Sequence, residues 1–451
     1  MKLISLSTEL YASPRLKYLL DFINHHPLVQ GKATFQALPL EEKQGNAIIY
    51  TAERVGEGLW LAKNRYLQPQ SLDSDADFRQ DWVKFTEKHR GLFNQTTLHA
   101  QNLAFKRVLS EFDVLEAIFF FISRYEEWKS FPGDEHERYP SHTNSLIGHE
   151  KLPVVDLLIY HLLQSLEVPI RKIRNGLEVS HDIDYLLKYP TFIKKVKRLG
   201  HTLLVQKQTA IFLKTLQQII KSGSDPYWNF ERLLSKQEDA EKYLFFLVGG
   251  KIDGLENHYK IEDPLVSELI KLGNERAFKM GLHPSYMASN SEDLYSREKQ
   301  VFEQTIEEKA QYNRQHFLRW NFPTTPDILD QHHIKADFTL GFNDRIGFRC
   351  GTSFPYKLYN FEKEEAYRFV EHPLVIMDVA LLREAGYDVN NPTTHTNAVE
   401  KAAKIYVKFK RELDLLPFGH HLSVNFHNST FDDAVLDTGR FWDLYDKIIA
   451  R

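Results

Sequence analysis

The sequence contains a single cysteine, Cys350, among its 451 residues. One thiol excludes an intramolecular disulfide and a metal cluster built from cysteines, and it is typical of a reducing compartment. A strong net charge is also missing, because the formal charge is only −4 at pH 7. We therefore expect no nucleic acid among the partners, since no overall basic character attracts a polyanion.

Long hydrophobic runs are absent as well. No stretch of the sequence approaches the roughly 18 consecutive apolar residues that a membrane-spanning helix needs. Glu9 and Arg15 interrupt the apolar residues near the N-terminus. We therefore expect no signal peptide and a cytoplasmic location. The hydrophobic content of 42% is nevertheless high enough to form a sizeable core.

The apolar patterns divide the chain near residue 165. Before it, strand-like runs ("KLISLS", "NAIIYTA") accompany helix-like stretches ("SPRLKYLLDFINHH", "DVLEAIFFFISRYEEW"). After it, strand-like runs alternate with helical ones, beginning with "EVSHDID", "KYLFFLVGG" and "KMGLHPS". We predict an N-terminal α/β domain over 1–165 and a parallel β/α domain over 166–451. In such a domain, functional residues lie at the carboxyl ends of strands.

Two carboxylates follow the strand-like run "LEVS". Asp182 and Asp184 are two positions apart, so both face one side if the strand continues that far. Such a pair suits metal-dependent hydrolysis, in which one carboxylate binds a metal and the other accepts a proton from water. The alternative is an ordinary turn in which Asp182 caps the next helix, because a D-x-D pattern is weakly specific.

Other candidates end strand-like or loop segments further along the chain. His283 in "GLHPSY" suits a metal ligand or, alternatively, a hydrogen-bonded core residue. His427 in "LSVNFHNSTF" suits a general acid, although Asn428 beside it also suits a structural turn. Arg319 in "RQHFLRWNFP" and Arg349 in "IGFRCGTSFPY" could hold a carboxylate through a bidentate fork, or form surface salt bridges.

Together these stretches resemble the polysaccharide deacetylase superfamily, carbohydrate esterase family 4. The resemblance implies a distorted (β/α) barrel. "SHDID" resembles the opening motif of the family, which implies that Asp182 is the catalytic base and Asp184 a metal ligand. "GLHPSY" resembles the first half of the second motif, which implies that His283 is a metal ligand and that Tyr286 contacts substrate.

The later motifs of the family also have counterparts. "FLRWNFPTTPDIL" followed by "IKADFTLGF" resembles the third motif, which implies that Arg319 braces the base. "VNFHN" resembles the last motif, which implies that His427 is the catalytic acid. "VIMDVAL" resembles a later acidic motif through Asp378, and we expect Asp378 and Arg349 to bind substrate.

The whole chain resembles a bacterial subgroup that joins an uncharacterised N-terminal α/β domain to the deacetylase domain. "FFFISRYEEW", "DEHERYP" and "GFRCGTSFPY" carry this narrower resemblance. It implies a hydrolase that removes an acyl group, N-acetyl in particular, from a sugar or glycan precursor. The expected cofactor is a divalent metal, with zinc as the first choice. The expected partner is a carbohydrate, and for a cytoplasmic enzyme a nucleotide-linked or lipid-linked sugar is one option.

One residue departs from the family pattern. Met287 stands four residues after His283, where the family has a second histidine. A catalytic zinc normally has three protein ligands and a water. His181, His316, His427 or a water could therefore complete the site. The alternative function is a catalytically impaired protein that keeps the deacetylase fold as a carbohydrate-binding or scaffold module.

A basic segment follows the first motif. Residues 191–224 contain seven Lys and Arg residues and neither Asp nor Glu, with apolar residues on one side. A basic amphipathic helix can lie on an anionic membrane, which predicts a peripheral membrane contact. The alternative is a barrel helix whose basic face is solvated.

Overall fold

The fold is given by a computed structural model of the chain. The structure describes residues 1–42, 48–52, 60–62, 67, 75–93, 109–129, 133–200, 209–221, 225–235, 239–249, 256, 258–388, 391 and 394–450.

The N-terminal region begins with a four-stranded parallel sheet in the order β2-β1-β3-β4. Its strands are β1 (Lys2–Ser7), β2 (Ala33–Leu38), β3 (Ile48–Thr51) and β4 (Trp60–Ala62). Helix α1 (Pro14–His25) connects β1 to β2. The Ser13 hydroxyl caps this helix by accepting the Leu16 amide, and Pro14 occupies its first turn. The first predicted strand and helix are thus confirmed.

Among the described residues, four further α-helices belong to the N-terminal region: α2 (Asp75–Lys88), α3 (Val114–Ile122), α4 (Tyr125–Lys129) and α5 (Val154–Ser165). Every residue of α3 is buried, so this helix is an interior element. The single helix predicted over "DVLEAIFFFISRYEEW" is wrong, because Arg124 adopts a φ of 55° and separates α3 from α4. This turn lets the Arg124 guanidinium bond the Glu127 carboxylate.

The C-terminal region is built on eight parallel strands in the order β12-β9-β8-β7-β6-β5-β14-β13. The strands from β5 onward, with the separate antiparallel pair β10-β11, are β5 (Gly176–Ile183), β6 (Glu241–Leu247), β7 (Lys279–His283), β8 (Tyr312–Asn313), β9 (Ala336–Asp337), β10 (Tyr359–Asn360), β11 (Glu365–Ala366), β12 (Val370–Glu371), β13 (Leu374–Met377) and β14 (His421–Asn425).

The eight-stranded sheet curls back on itself. Only two residues separate its edge strands β12 and β13 along the chain. The Leu374 amide also donates a hydrogen bond to the Leu340 carbonyl, 3.1 Å away and just beyond β9. The predicted fold class, a distorted (β/α) barrel with an N-terminal α/β region, is confirmed.

The helices that accompany the barrel are α6 (Phe192–Gly200), α7 (Thr209–Lys221), α8 (Phe230–Leu233), α9 (Pro264–Glu275), α10 (Glu292–Ile306), α11 (Thr324–Gln331), α12 (Asp378–Glu384), α13 (His395–Asp414) and α14 (Thr438–Ile449). Ser291 caps α10 by accepting the Leu294 amide, as its position in the sequence predicts.

The division of the chain near residue 165 stays a prediction. The residue lies at the end of α5, where the sequence pattern changes. The largest cluster of buried apolar side chains among the described residues, however, contains side chains from both α5 and β5. The two regions therefore share a core.

The basic segment 191–224 is only partly described, because residues 201–208 and 222–224 lie outside the described ranges. Its described parts form α6 and α7, and four of their apolar side chains are exposed: Ile193, Val196, Leu213 and Ile220. The peripheral membrane contact stays a prediction. Among the described residues, no helix is both long and apolar enough to cross a bilayer.

Candidate metal centre and active site

The two carboxylates of the opening motif lie at the carboxyl end of β5. Asp182 is inside the strand and 3% exposed, and Asp184 follows the last strand residue. His181 points to the opposite face, because side chains alternate along a strand. Its Nδ1 lies 2.9 Å from the Phe426 carbonyl, and its ring packs near Tyr445. His181 is therefore not the third metal ligand.

Asp184, His283 and His316 bring three ligand atoms together. The Asp184 Oδ1 atom lies 3.4 Å from Nε2 of His283 and 3.9 Å from Nε2 of His316. All three atoms are within 4.8 Å of one another. His283 is the last residue of β7, and His316 begins a short 3-10 helix (His316–Leu318) soon after β8. Two neighbouring strands of the barrel thus deliver the two imidazoles.

Both imidazoles are anchored through Nδ1. The Nδ1 atom of His283 lies 2.6 Å from the Arg314 carbonyl, and that of His316 lies 3.4 Å from Oε1 of Glu256. Carbonyl and carboxylate oxygens only accept hydrogen bonds, so each Nδ1 carries the proton. In the neutral imidazole, Nε2 then has a free lone pair directed at the site, the form in which histidine binds a metal.

The residues present fit a divalent metal. Oδ1 of Asp184 is buried and has no hydrogen-bond partner among the described residues, which is costly for a carboxylate oxygen without a cation. Burial raises the pKa of Asp184, but the neighbouring imidazoles of His283 and His316 hold it well below its usual range. One carboxylate and two imidazoles with an open fourth position suit catalytic zinc.

The third ligand depends on an unusual backbone. Phe317 and Leu318 both have positive φ, 62° and 55°, although neither is glycine. Residues in this conformation are strained and cluster at functional sites. Met287 is 50% exposed, and its sulfur lies 3.8 Å from a guanidinium nitrogen of Arg319. Position 287 therefore lies outside the ligand set.

Asp182 is held by two donors. Nη1 of Arg314 donates to its Oδ1 at 3.0 Å, and Nδ2 of Asn425 donates to its Oδ2 at 2.8 Å. Burial raises the pKa of Asp182, but the charge of Arg314, followed by those of His283 and His427, brings it below its ordinary value. Asp182 is thus ionised at neutral pH and can accept a proton.

The expectation that Arg319 braces Asp182 is corrected. Arg319 donates to the Tyr286 carbonyl at 2.7 Å and to the Glu137 carboxylate. Its guanidinium also lies over the Tyr286 ring, 3.8 Å from the centroid. Arg314 makes the predicted contact instead, because it follows β8 immediately and points into the barrel interior.

His427 is oriented by Asp378. Its Nδ1 lies 2.8 Å from Oδ1 of Asp378, and its backbone amide donates to Oδ2 at 2.7 Å. Its Nε2 lies 3.7 Å from Asp182 and 3.8 Å from Asp184. Burial opposes protonation, but the charge of Asp378, followed by those of the two aspartates, raises the pKa of His427 to about 10. His427 therefore carries a proton on Nε2 that faces the site.

Two of the predicted substrate contacts are corrected by burial. Asp378 is fully buried and holds His427. Arg349 is 1% exposed and donates Nε and Nη2 to the Glu127 carboxylate, at 2.9 and 2.7 Å. It is therefore a structural link between the barrel and α4. Tyr286 does not line the cavity described below, its hydroxyl is 3.1 Å from Nδ1 of His136, and its contact with substrate stays a prediction.

A cavity of about 200 Å³ opens onto these residues. It is lined by Arg138, Asp182, Asp184, His283, His316, Phe317, Leu318, Asn343, Met377, Val379, Arg383, His427 and Ser429. The residues that sequence reasoning missed are Arg138, Glu256, Arg314 and Arg383. Arg314 begins the stretch "RQHFLRWNFP" and Arg138 lies in "DEHERYP", so both were within motifs that the sequence singles out.

Comparisons with known proteins give weak likenesses. A model described as a family of unknown function (DUF7033) matches residues 4–169. No curated protein matches the chain significantly. Among solved structures, the chain is similar to a protein from Mycobacterium smegmatis assigned as a polysaccharide deacetylase, with 12% identity, a TM-score of 0.36, and coverage of 62% of this chain and 85% of that one.

The chain is also similar to PuuE allantoinase, with 10% identity, a TM-score of 0.35, and coverage of 61% of this chain and 85% of that one. A CE4 family pseudoenzyme from Bacillus anthracis has 9% identity and a TM-score of 0.27, with coverage of 61% of this chain and 63% of that one. The fold therefore rests on the strand order of the chain, and the candidate roles rest on the geometry of the site.

Proposed function

We propose that this protein is a metal-dependent hydrolase that removes an acyl group, N-acetyl in particular, from a sugar. The single observation that carries the proposal is the convergence of Asp184, His283 and His316 beside Asp182 and His427 in one cavity. The sugar as substrate rests on the resemblance of the motifs that contain these residues.

The residues divide the chemistry between them. A divalent metal held by Asp184, His283 and His316 supplies Lewis acidity for the acyl carbonyl and for the attacking water. Oδ2 of Asp182 faces the cavity and accepts the proton of the attacking water. Nε2–H of His427 donates a proton to the nitrogen of the leaving amine. The products are a carboxylic acid and an amino sugar.

Three buried side chains hold these two catalytic groups in place. Arg314 and Asn425 each hold one oxygen of Asp182, which fixes the direction of its lone pairs. Asp378 bonds both the ring and the backbone amide of His427, so it stabilises the imidazolium before the acid step. Asp182 then starts the reaction deprotonated, and His427 starts it protonated.

The rival function, a binding or scaffold module, drew its support from Met287. His316 weakens that support, because it offers the third ligand from another strand. A module without catalysis would also have no chemical use for an imidazolium beside an ionised carboxylate. The enzyme is therefore the function that we propose first.

The test measures acetate release and zinc content of the zinc-loaded protein. The substrates are a chito-oligosaccharide, N-acetylglucosamine 1-phosphate and N-acetylmuramic acid. Asp182→Asn should lower hydrolysis about 10³-fold, because it removes the base, while zinc content stays the same. Glu178→Gln, near the start of the same strand, should keep the activity. Bound zinc without acetate release from any substrate would favour the binding module, and full activity of Asp182→Asn would overturn the role of Asp182.

A further inference from the structure

Outside the candidate catalytic and metal-binding residues, the charged side chains that line the cavity are all positive. Apart from the aspartates and histidines already described, the lining side chains are apolar or neutral except for Arg138 and Arg383. Among the described lining residues, no further carboxylate faces these two guanidinium groups inside the cavity. A site for a neutral sugar has no need of two cations beside a metal.

Arg138 is held in place by the N-terminal region. Its side chain is 9% exposed, and Nε and Nη2 both lie 2.8 Å from Oδ2 of Asp134. The backbone amide of Arg138 also donates to Oδ1 of Asp134 at 2.9 Å. No hydrogen bond from its Nη1 to any described residue is present, so one edge of the guanidinium is left for a ligand.

The loop 134–138 that carries Arg138 is fixed to the barrel at several points. His136 contacts the Tyr286 hydroxyl at 3.1 Å, and Oε2 of Glu137 accepts the Asn290 side chain at 2.8 Å. Glu137 also pairs with Arg319. These contacts involve loops that follow β7 and β8, the strands that supply both metal-binding imidazoles. The N-terminal region therefore forms one wall of the site.

Arg383 reaches the cavity from α12. Its Nη1 donates to the Asn343 carbonyl at 3.0 Å, and no carboxylate of the described residues lies within ion-pair distance of it. Partial desolvation of its guanidinium and the charge of Arg138 lower the pKa of Arg383, whereas the charges of Asp344 and Asp134 raise it. Both guanidinium groups line the same cavity, so an anion held there would be attracted by both.

The acidic residues nearby lie outside the cavity lining. Asp134 pairs with Arg138 and offsets part of its charge from behind, and Oδ2 of Asp344 accepts the Ser141 hydroxyl at 2.6 Å. Neither carboxylate lines the cavity. Arg345 directly follows Asp344 in the sequence. It pairs with Glu150 and does not line the cavity. Arg345 is therefore a matched control for the two lining arginines.

We propose that the substrate carries a compact oxyanion next to its acylated nitrogen, and that Arg138 and Arg383 together bind it. Phosphate and carboxylate share the chemistry that two guanidinium groups recognise. The N-terminal region thus contributes to substrate choice through Arg138. The identity of the reacting acyl group rests on the proposed function, but the anion site itself does not.

Binding to the zinc-free protein tests the anion site separately from hydrolysis, and it prevents phosphate from binding the metal. Isothermal titration calorimetry compares N-acetylglucosamine, N-acetylglucosamine 1-phosphate and N-acetylmuramic acid. At least one of the two anionic sugars should bind about 10-fold or more tightly than the neutral one, with a strong dependence on salt. The affinities for the phosphate-bearing and the carboxylate-bearing sugar show which oxyanion the site prefers.

Variants assign the effect to the two arginines. Arg138→Gln and Arg383→Gln should each weaken binding of the preferred anionic sugar about 10-fold, and the double variant should bind it no better than the neutral sugar. Arg345→Gln should bind like the wild type. Arg383 is exposed, so its variant is expected to fold even if loss of the Asp134 partner unfolds Arg138→Gln.

The two proposals fail in different ways. Equal binding of neutral and anionic sugars, or wild-type binding by Arg383→Gln and by the double variant, would overturn the anion site even if acetate is released. Tight, arginine-dependent binding of an anionic sugar without acetate release would leave the anion site standing and overturn the hydrolase.

Discussion

Strand β5 has a carboxylate with two imidazoles at each of its ends, and the two groups use their nitrogen atoms differently. Near its start, Oε1 of Glu178 lies 2.6 Å from Nδ1 of His372 and 3.2 Å from Nε2 of His421. At its other end, the nearest imidazole nitrogen stays 3.4 Å from Asp184. In the first group the imidazoles contact the carboxylate directly, whereas the second group leaves a gap between its ligand atoms.

The difference arises from what holds the rings. The imidazoles near Glu178 direct a nitrogen at the carboxylate itself: His372 bonds Oε1, and His421 lies within ion-pair distance of the same oxygen. Burial raises the pKa of Glu178, but His372 and His421 hold it well below its usual range. The rings of His283 and His316 are anchored instead by Arg314 and Glu256. Residue types alone therefore do not make a metal site, because the outer partners decide where the lone pairs point.

The largest effect is expected from His316→Gln. Loss of a direct ligand should weaken zinc binding more than about 100-fold, beyond the 10–100-fold typical of an outer partner. Zinc competition with a chromogenic chelator measures the change. His332→Gln is the matched control, because that imidazole packs near Tyr295, pairs with Glu292 and does not line the cavity. Unchanged zinc affinity in His316→Gln would mean that a water or another residue, and not His316, is the third ligand.

Glu178→Gln is expected to act on stability and not on zinc. Loss of the buried charge beside His372 and His421 should lower the free energy of unfolding by about 2 kcal/mol, a value typical of hydrogen bonds to charged groups. Urea unfolding of the zinc-free protein measures this change. Glu241→Gln, whose ion pair with Lys279 is exposed, should change stability little. A fall in zinc affinity of Glu178→Gln would contradict the purely structural role of Glu178.

Glu256→Gln tests the anchoring of His316 directly. The neutral amide polarises the imidazole less, so zinc affinity should fall about 10-fold. Glu298→Gln is the control, because that buried carboxylate holds the Ser285 amide and hydroxyl and no imidazole. Equal zinc affinities of the two variants would show that Glu256 has no special role.

The smallest effect is expected from Met287→His, which restores the histidine of the family pattern. Zinc affinity should be unchanged, because residue 287 is half exposed and its side chain lies beside Arg319. The same chelator competition measures it. A 10-fold rise in affinity would mean that the site is completed from the β7 loop and not by His316.

Much of the barrel and half of the site could be predicted from local patterns. Strand alternation placed Asp182 and Asp184 together, and the end of β7 placed His283. Strands β8 and β12, each of two residues, are too short to produce a periodic pattern. Consequently Arg314 could not be distinguished from Arg319, five residues further along the same stretch.

The candidate third ligand and the proposed anion site depend on features with no local signal. His316 was one of several alternatives, and its orientation requires positive φ at Phe317 and Leu318, where no glycine marks the turn. Arg138 reaches the cavity through contacts between residues more than 140 positions apart in the chain. Periodicity and spacing report neighbours along a helix or strand, so such contacts stay invisible to them.

The buried arginines between the two regions have a consequence for dissecting the protein. Nη1 of Arg124 donates to the Arg349 carbonyl at 2.6 Å, and both guanidinium groups share the Glu127 carboxylate. A fragment that begins near residue 166 would keep Arg349 but lose its counter-ion, leaving a buried cation that costs about 3–5 kcal/mol. The barrel therefore depends on residues 124–127 for part of its stability, and a fragment of the C-terminal region must include them to keep Arg349 paired.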